Sequence, residues 1–242
     1  MSSPAERDRS DVFFAADTHL RPGETEEQER LIKFLQFVQR EGRALYLLGD
    51  IFDYWFEYKT AVLRCFAPVL EALRRLRQSG VEVHFLHGNH DFAVGAVFEE
   101  DLDVRVHPGP VSIEIGETSL YLTHGDELCR DDWAYRIIKR LMRNRVLNWL
   151  FAHIPVDWAT RIGSTIAGAS RRHVEHKDQE RMAFSEDALE EVARQGYDVI
   201  IAAHAHEQAD RMILEGKTRF FVLGQWSYLR YREGEGNWQF DE

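Results

Sequence analysis

The stretch VHFLHGNHDF, residues 83 to 92, is an apolar run that ends abruptly in Gly88-Asn89-His90-Asp91. Glycine, asparagine and aspartate are depleted in β-strands, so the strand must end at this point. The side chains of Asn89, His90 and Asp91 can bind a metal ion or transfer a proton. A strand that ends in such residues predicts a functional site at its carboxyl end.

Four other apolar runs end in the same way. In open α/β sheets ligands bind beyond the carboxyl ends of the strands, so these ends are expected to converge on one site. The four runs and their polar ends are VFFAA before Asp17-Thr18-His19, ALYLL before Gly49-Asp50, LYLT before His124-Gly125-Asp126, and VIIAA before His204-Ala205-His206.

The order of apolar patterns predicts an α/β fold in a single domain spanning 1–242, because short strands alternate with helices. A long helical stretch that interrupts this order is expected at about 131–178, and a run of β-hairpins is expected at 210–240. The other predicted strands are 12–16, 44–48, 81–87, 111–115, 119–123 and 198–203, and the other helices are 25–40, 61–79 and 185–195.

Composition and charge narrow the class of protein. The formal net charge of −11 argues against a general nucleic-acid-binding protein, because phosphate binding depends on lysine and arginine. Cys65 and Cys129 are far apart in sequence, which is typical of reduced thiols in a cytoplasmic protein. The polar amino terminus lacks a signal-peptide core, and no apolar run approaches the ~20 residues of a membrane span. We therefore expect a cytoplasmic protein that is soluble or lies on a membrane surface.

The polar ends of the strands contain more metal ligands than one ion needs. Carboxylate, imidazole and amide oxygen suit divalent ions such as Mn²⁺, Fe²⁺ or Zn²⁺. Asp17 and His19 are two residues apart, as are His204 and His206, so at an extended strand end each pair would point the same way. If one carboxylate bridges, the candidates divide into four ligands for each of two ions. The seven candidates are Asp17, His19, Asp50, Asn89, His124, His204 and His206.

Each cluster taken alone has an ordinary structural interpretation. A single D-x-H or H-x-H is more often a cap or a pair of packed core side chains, and Gly-Asp after a strand is commonly a turn. Five clusters in order, all at strand ends, favour a metal site over five separate coincidences.

The series D-x-H, GD, GNHD, HGD and H-x-H resembles the calcineurin-like metallophosphoesterase superfamily. The resemblance spans 17–206 and implies a two-sheet β-sandwich flanked by helices, with two divalent metal ions, usually Mn²⁺. It also implies that His90 faces the substrate as a catalytic residue oriented by Asp91, and that Asn89 and His90 contact the substrate. By the same resemblance Asp17, His19, Asp50 and His206 hold one ion, and Asp50, Asn89, His124 and His204 hold the other.

Two longer segments are similar to a narrower family, the UDP-2,3-diacylglucosamine diphosphatases of lipid A synthesis. The segments are GDIFDYWFEYK (49–59) and HGDELCRDDWAYR (124–136). This resemblance implies hydrolysis of a UDP-linked diacyl sugar to UMP and a sugar 1-phosphate, with Asp132 and Tyr135 contacting the substrate. The best-known members have Arg in place of His90, and Arg-Pro in place of Glu207-Gln208. Another phosphodiester or nucleotide substrate therefore stays open as an alternative.

The segment 130–177 differs from the rest of the chain in charge, since it has ten basic and four acidic side chains. Apolar and basic side chains separate on opposite faces of its predicted helix, which suits an anionic membrane surface or a lipid substrate. We expect the insertion, 130–180, to cap the site and to associate peripherally with the inner face of the cell inner membrane. The plain alternative is a helix pair that packs on the domain with its basic residues solvated. The basic residues expected to contact phosphate are Arg171, Arg172 and Lys177.

Two other interpretations remain from the sequence. A non-catalytic scaffold on the same fold would be expected to lose ligands, and all seven are present here. A nuclease is disfavoured by the overall acidity, although the basic insertion keeps that interpretation open.

Overall fold

The computed structural model describes residues 9–55, 64–129 and 184–241. Short helical turns lie at Val97–Asp101 and Asp126–Leu128. The helices are α1 (Thr25–Glu41), α2 (Ala67–Gln78) and α3 (Glu186–Ala193), and the strands are β1 (Asp11–Ala15), β2 (Gly42–Leu47), β3 (Glu82–Leu86), β4 (Arg105–His107), β5 (Val111–Ile115), β6 (Thr118–Leu122), β7 (Val199–Ala202), β8 (Ala209–Ile213), β9 (Thr218–Val222), β10 (Tyr228–Arg232) and β11 (Asn237–Asp241).

The strands form two mixed sheets. The first has the order β11-β10-β1-β2-β3-β4, in which β1 to β4 are parallel, β10 pairs antiparallel with β1, and β11 pairs antiparallel with β10. The second has the order β5-β6-β7-β9-β8, in which β6, β7 and β9 are parallel. Parallel strands place their carboxyl ends at the same edge, so each sheet presents several strand ends together.

The two sheets pack face to face over one apolar core. Successive side chains of a strand point to opposite faces, so Val12 and Phe14 of β1 join the core between the sheets. Phe13 and Ala15 point the other way, into the layer beneath the helices. Leu122 and Ile201 of the second sheet contribute to the inter-sheet core from the opposite side.

Helices cover the outer faces of both sheets. The buried side chains of α1 include Leu31, Leu35 and Val38, whose spacing places them on one helical face. This face and the apolar face of α2 pack on the first sheet. Leu189 and Val192 of α3 pack on the outer face of the second sheet.

This architecture confirms the two-sheet sandwich flanked by helices. Strand β4 was not predicted, because three half-buried or exposed residues carry little hydrophobic pattern. The predicted hairpin run at 210–240 is divided between the sheets, with β8 and β9 in the second and β10 and β11 in the first. The predicted helical insertion, 130–180, lies outside the described residues.

Candidate metal centre

The polar ends of five strands meet at one edge of the sandwich. The backbone N–H of Asp17 donates to the carbonyl of Gly49 (3.1 Å), which joins the ends of β1 and β2. On the second sheet, the N–H of Ala203 donates to the carbonyl of His124 (2.9 Å). The predicted convergence of the strand ends therefore has a direct basis in the backbone.

Two glycines allow the loops after β2 and β3 to touch. Gly49 has a φ of +88°, and a Cβ at this position would lie 2.5 Å from the amide nitrogen of Gly88. A Cβ on Gly88 would collide with the amide nitrogen and carboxylate of Asp50. Gly88 is therefore required for close packing of backbone on backbone rather than for a left-handed turn.

The candidate ligands that follow β1, β2 and β7 have strained backbones. Side-chain-bearing residues seldom have positive φ, and such strain concentrates at functional sites. The sequence-based expectation of extended strand ends is therefore corrected: each D-x-H or H-x-H pair converges through left-handed residues. The φ values are 53° for Asp17, 45° for His19, 52° for Asp50, 70° for His204 and 58° for His206.

The first ligand group consists of Asp17, His19 and His206. The Nε2 atoms of the two histidines lie 3.0 Å apart, and His206 Nε2 lies 3.9 Å from Asp17 Oδ1. Asp17 is wholly buried, and its Oδ1 has no hydrogen-bond partner among the described residues. A buried carboxylate oxygen beside two imidazole nitrogens fits a bound cation, because an unpaired buried charge is otherwise costly.

The second group surrounds His124. Its Nε2 lies 2.8 Å from Asn89 Oδ1, 3.2 Å from His204 Nδ1 and 3.4 Å from Asp50 Oδ2. His204 Nδ1 also lies 3.0 Å from Asn89 Oδ1. Four ligand atoms of types that bind divalent ions are thus drawn together around one point.

Asp50 lies between the two groups. Its Oδ2 is 3.4 Å from His124 Nε2 in the second group and 3.9 Å from His19 Nε2 in the first. Its other oxygen, Oδ1, accepts a hydrogen bond from the backbone N–H of His90 (2.8 Å). One carboxylate oxygen is therefore fixed by the backbone, while the other faces both groups, as a bridging ligand requires.

Further hydrogen bonds orient the ligands. The Nδ1–H of His124 donates to the Leu48 carbonyl (2.9 Å), which directs Nε2 toward the site. The backbone N–H of His204 donates to Asp17 Oδ2 (2.8 Å), which leaves Oδ1 toward the first group. The sequence indicated the ligand types but not these partners, since both contacts depend on backbone groups of other strands.

The protonation states fit a site made for cations. Burial lowers the pKa of His19 to about 4, and burial together with His124 lowers the pKa of His204 to about 3, so both are neutral near pH 7. Burial raises the pKa of Asp17 to about 7, because its carboxylate is wholly buried and lies close to Asp50. Burial acts to lower the pKa of His124, but the Asp50 carboxylate raises it well above its usual range. Bound cations would stabilise the deprotonated forms of both Asp17 and His124.

His90 is held by Asp53. Its Nδ1–H donates to the Asp53 carbonyl (2.8 Å), and the Asp53 carboxylate lies 3.7 Å from the same nitrogen. Arg21 Nε donates in turn to Asp53 Oδ2 (3.1 Å). Burial acts to lower the pKa of His90, but Asp50 and Asp53 raise it. The nitrogen left for a substrate is Nε2.

Asp91 has contacts other than the expected one. Its carboxylate is wholly buried and accepts hydrogen bonds from the backbone N–H groups of Asp50, Ile51, Phe52 and Gly88, at 2.8 to 3.3 Å. The expectation that Asp91 orients His90 is thus corrected, since the hydrogen bond to the His90 ring comes from Asp53. The contacts of Asp91 instead fix the loop that carries Asp50 against the loop after β3.

Sequence reasoning missed Asp53, although it stands within the quoted segment GDIFDYWFEYK. Its position three residues after Asp50 was the available signal. The expected substrate contacts Asp132, Tyr135, Arg171, Arg172 and Lys177 lie outside the described residues.

Comparison with known proteins agrees with this geometry. The model of the calcineurin-like phosphoesterase family matches residues 11–208. The chain belongs to this family. The family uses divalent metals, and the described residues contain three groups of candidate ligands within 4.8 Å of one another, two of which are the groups above. The chain is therefore a phosphoesterase, as the sequence predicted, and its described residues include candidate metal-binding groups.

Two relatives illustrate the match in sequence. A Nitrosococcus oceani protein named UDP-2,3-diacylglucosamine hydrolase is 36% identical over 218 residues, which cover 89% of this chain and 87% of that protein. A protein of the same name from Histophilus somni strain 2336 is 31% identical, covering 89% and 92%. In structure, a dimetal phosphatase from Danio rerio has a TM-score of 0.52 at 14% identity and covers 96% of this chain and 98% of its own. That likeness shows the shared fold.

Within the described ranges, no helix is both long and apolar enough to cross a membrane.

Proposed function

We propose that this phosphoesterase hydrolyses the pyrophosphate of UDP-2,3-diacylglucosamine to UMP and 2,3-diacylglucosamine 1-phosphate. The proposal depends on the position of Asp50 between the two ligand groups. Its Oδ2 lies 3.4 Å from His124 Nε2 in one group and 3.9 Å from His19 Nε2 in the other. The substrate is inferred from the names of relatives that are 36% and 31% identical across most of the chain.

The two ligand groups have complementary tasks. Asp17, His19 and His206 would hold one divalent ion, and Asn89, His124 and His204 the other, with Asp50 shared. When bound, two divalent ions, Mn²⁺ by the family resemblance, supply an activated water and neutralise charge on the phosphate oxygens. The left-handed backbones of five ligands fix these groups before substrate arrives.

His90 is proposed as the catalytic residue that contacts the substrate. The Asp53 carbonyl fixes its Nδ1, and the nearby carboxylates favour the protonated ring. A protonated His90 can stabilise the charge that develops in the transition state or donate a proton to the leaving oxygen. Asp91 is proposed to act on catalysis through the backbone of the Asp50 loop.

The substrate side of the proposal includes the insertion. Residues 130–180 are proposed to cap the site and to hold the acyl chains, with Asp132 and Tyr135 on the nucleotide sugar. The basic residues of the insertion are proposed to contact phosphate and an anionic membrane surface. They include Arg171, Arg172 and Lys177. The enzyme would then act at the cytoplasmic face of the inner membrane, as a peripheral protein.

The test is a ³¹P NMR assay with Mn²⁺ and UDP-2,3-diacylglucosamine, with UDP-N-acetylglucosamine as the non-acylated control. The wild type is expected to release UMP from UDP-2,3-diacylglucosamine but not from UDP-N-acetylglucosamine. Asp50→Asn should reduce the rate by at least about 10³-fold, because both ligand groups lose the shared charge. Asp187→Asn, an exposed carboxylate in the first turn of α3, is the matched control and should retain full activity. Equal rates for Asp50→Asn and wild type would exclude the proposed centre.

A second candidate is a phosphoesterase of the same mechanism acting on another phosphodiester or nucleotide. The residue that favours it is His90, because the best-known lipid A enzymes of the narrower family have Arg at this place. Hydrolysis of bis(p-nitrophenyl) phosphate without turnover of UDP-2,3-diacylglucosamine would support this candidate and reject the lipid substrate.

A further inference from the structure

A cavity of about 260 Å³ lies beside the metal centre, on the helix side of the first sheet. Its inner wall includes Ala15 at the end of β1 and Thr18, which stands between the candidate ligands Asp17 and His19. The hydroxyl of Thr18 donates to the Ile51 carbonyl (2.8 Å), so this wall is fixed to the loop that carries Asp50. The cavity therefore adjoins the first ligand group without containing any of its ligands.

Aromatic rings and two cations line this cavity. Phe34 and Phe37 of α1 face Tyr228 of β10, with the Phe34 and Tyr228 ring centroids 4.7 Å apart. Arg30 and Lys33, both exposed, supply the positive charge at its edge. Flat rings beside cations suit a ligand that combines a planar ring with negative charge.

Trp226 connects the cavity to the metal centre. Its φ of 60° is strained for a bulky side chain, and such strain is typical of residues held for function. The neighbouring Gln225 N–H donates to the carbonyl of the candidate ligand His206 (3.3 Å). On the cavity side, Arg30 stacks over the Trp226 ring at 4.9 Å and donates to the Trp226 carbonyl (3.3 Å).

Two parts of the proposed substrate could enter such a cavity. An acyl chain would gain from the apolar walls, but it offers no negative charge to Arg30 and Lys33. A nucleotide offers a ring for stacking and phosphates for the cations. The volume also suits one nucleoside, because it falls just below the ~300 Å³ at which pockets for larger ligands begin.

We propose that this cavity is the subsite for the nucleoside half of the substrate, with the base stacked among Phe34, Trp226 and Tyr228 and with Arg30 at its edge. This inference rests on the proposed function for the identity of the nucleotide, which is UMP. It also assigns the two arms of the substrate to different parts of the molecule, the nucleoside to this cavity and the acyl chains to the insertion.

Calorimetric titration of the Mn²⁺-loaded protein tests the subsite without relying on turnover. The probes are UMP and ribose 5-phosphate, which has the sugar and phosphate but no base. UMP should bind at least about tenfold more tightly, since base stacking contributes roughly 1–3 kcal/mol. Phe34→Leu, which stays apolar but lacks the ring, should reduce this ratio several-fold, and Arg30→Ala should weaken UMP binding several-fold because Arg30 would contact the phosphate. Binding of ribose 5-phosphate should be unchanged in Phe34→Leu and weakened in Arg30→Ala.

Arg40→Ala is the matched control, because Arg40 lies on the same helix and stacks over Phe37 at 5.9 Å but does not line the cavity. Its UMP affinity should equal that of the wild type. Equal binding of UMP and ribose 5-phosphate would overturn the subsite. Dodecyl phosphate serves as a probe for an acyl pocket. If Phe34→Leu or Arg30→Ala weakened the binding of dodecyl phosphate but left UMP binding intact, the cavity would be an acyl pocket and the subsite would be overturned.

Failure of the subsite and failure of the proposed function give different results. Turnover of UDP-2,3-diacylglucosamine without a preference for UMP over ribose 5-phosphate rejects only the subsite. A UMP preference that depends on Phe34, without turnover of the acylated substrate, supports the subsite and rejects the lipid substrate.

Discussion

Asp91 illustrates how one side chain can organise a metal centre that it does not enter. Four backbone N–H groups from two loops donate to its carboxylate. The first of these belongs to Asp50, which lies between the two ligand groups. The position of Asp50 is therefore set partly by Asp91.

Asp91→Asn should destabilise the protein by about 2–4 kcal/mol, because an amide offers one acceptor and turns a donor toward a backbone N–H. Urea unfolding at pH 8 measures this effect. The higher pH is needed because burial and the nearby Asp50 raise the pKa of Asp91 to about 7. Asp210→Asn, which removes an exposed ion pair with Arg219, should cost less than about 1 kcal/mol. If Asp91→Asn lost no more stability than Asp210→Asn, the proposed role of Asp91 in fixing the Asp50 loop would be contradicted.

Asp53→Asn tests how His90 is positioned. The backbone carbonyl that accepts from His90 remains, while the carboxylate charge 3.7 Å from the ring is lost. We expect kcat to fall roughly tenfold with little change in KM, since a general acid contributes about 10²–10⁴-fold and only part of its support is removed.

The pH profile of Asp53→Asn gives a second measurement. Asp53 helps to raise the pKa of His90, so a protonated His90 loses its proton as pH rises through that pKa. Removing the charge lowers the pKa, and the alkaline limb of kcat should move to lower pH. Asp101→Asn, an exposed carboxylate, should leave both kcat and the limb unchanged. An unmoved limb in Asp53→Asn would show that the carboxylate does not act on His90.

At the scale of single residues, the sequence predicted which side chains meet but not how they are supported. The apolar runs placed Asp17 and His206 at converging strand ends, and the family resemblance assigned them to the same ion. The contact between Asp53 and His90 uses the backbone carbonyl of Asp53, and Asp91 accepts from backbone N–H groups, so no side-chain pattern reports either contact. Predicting them requires the relative positions of two loops.

At the scale of elements, the loops after β2 and β3 depend on each other through Gly49 and Gly88. Gly88→Ala should weaken Mn²⁺ binding at least about tenfold, because the added Cβ collides with backbone and carboxylate atoms of Asp50. Gly109→Ala is the matched control, since its Cβ would meet nothing within 4 Å. Mn²⁺ titration followed by electron paramagnetic resonance measures the affinity, and circular dichroism verifies folding. Equal affinities for the two variants would contradict this packing.

Elements with a strong pattern were predictable, and those set by tertiary pairing were not. The apolar runs of β1, β2 and β7 are buried throughout or almost throughout, and the sequence pattern predicts these three strands directly. The pairing of Tyr228 with Ala15, which adds β10 to the first sheet, joins residues more than two hundred positions apart. Local periodicity carries no information about such a pairing, so the last two hairpins were assigned together although they belong to different sheets.

At the scale of the whole molecule, stability and metal binding should be coupled through protons. Two candidate ligands, His19 and His204, have pKa values near 4 and 3, so they are neutral in the folded metal-free protein at both pH 6.5 and pH 8.5. Asp17 and His124 differ, because their pKa values are raised, to about 7 for Asp17 and well above 6.5 for His124. Metal must displace protons from these two groups at pH 6.5 and fewer at pH 8.5.

The sign of the pH effect follows from these two groups. A raised carboxyl pKa means that the folded metal-free protein loses stability as pH rises from 3.8 toward 7, while a raised histidine pKa means that stability is lost as pH rises through it. Mn²⁺ relieves both losses and binds more tightly when fewer protons compete.

The increase in Tm on adding Mn²⁺ should therefore be greater at pH 8.5 than at pH 6.5, by roughly 5 °C. Calorimetry of the metal-free and Mn²⁺-loaded proteins at both pH values measures it, and Asp17→Asn should flatten the dependence. Equal increases at the two pH values in the wild type would show that Asp17 and His124 do not give up protons to the metal.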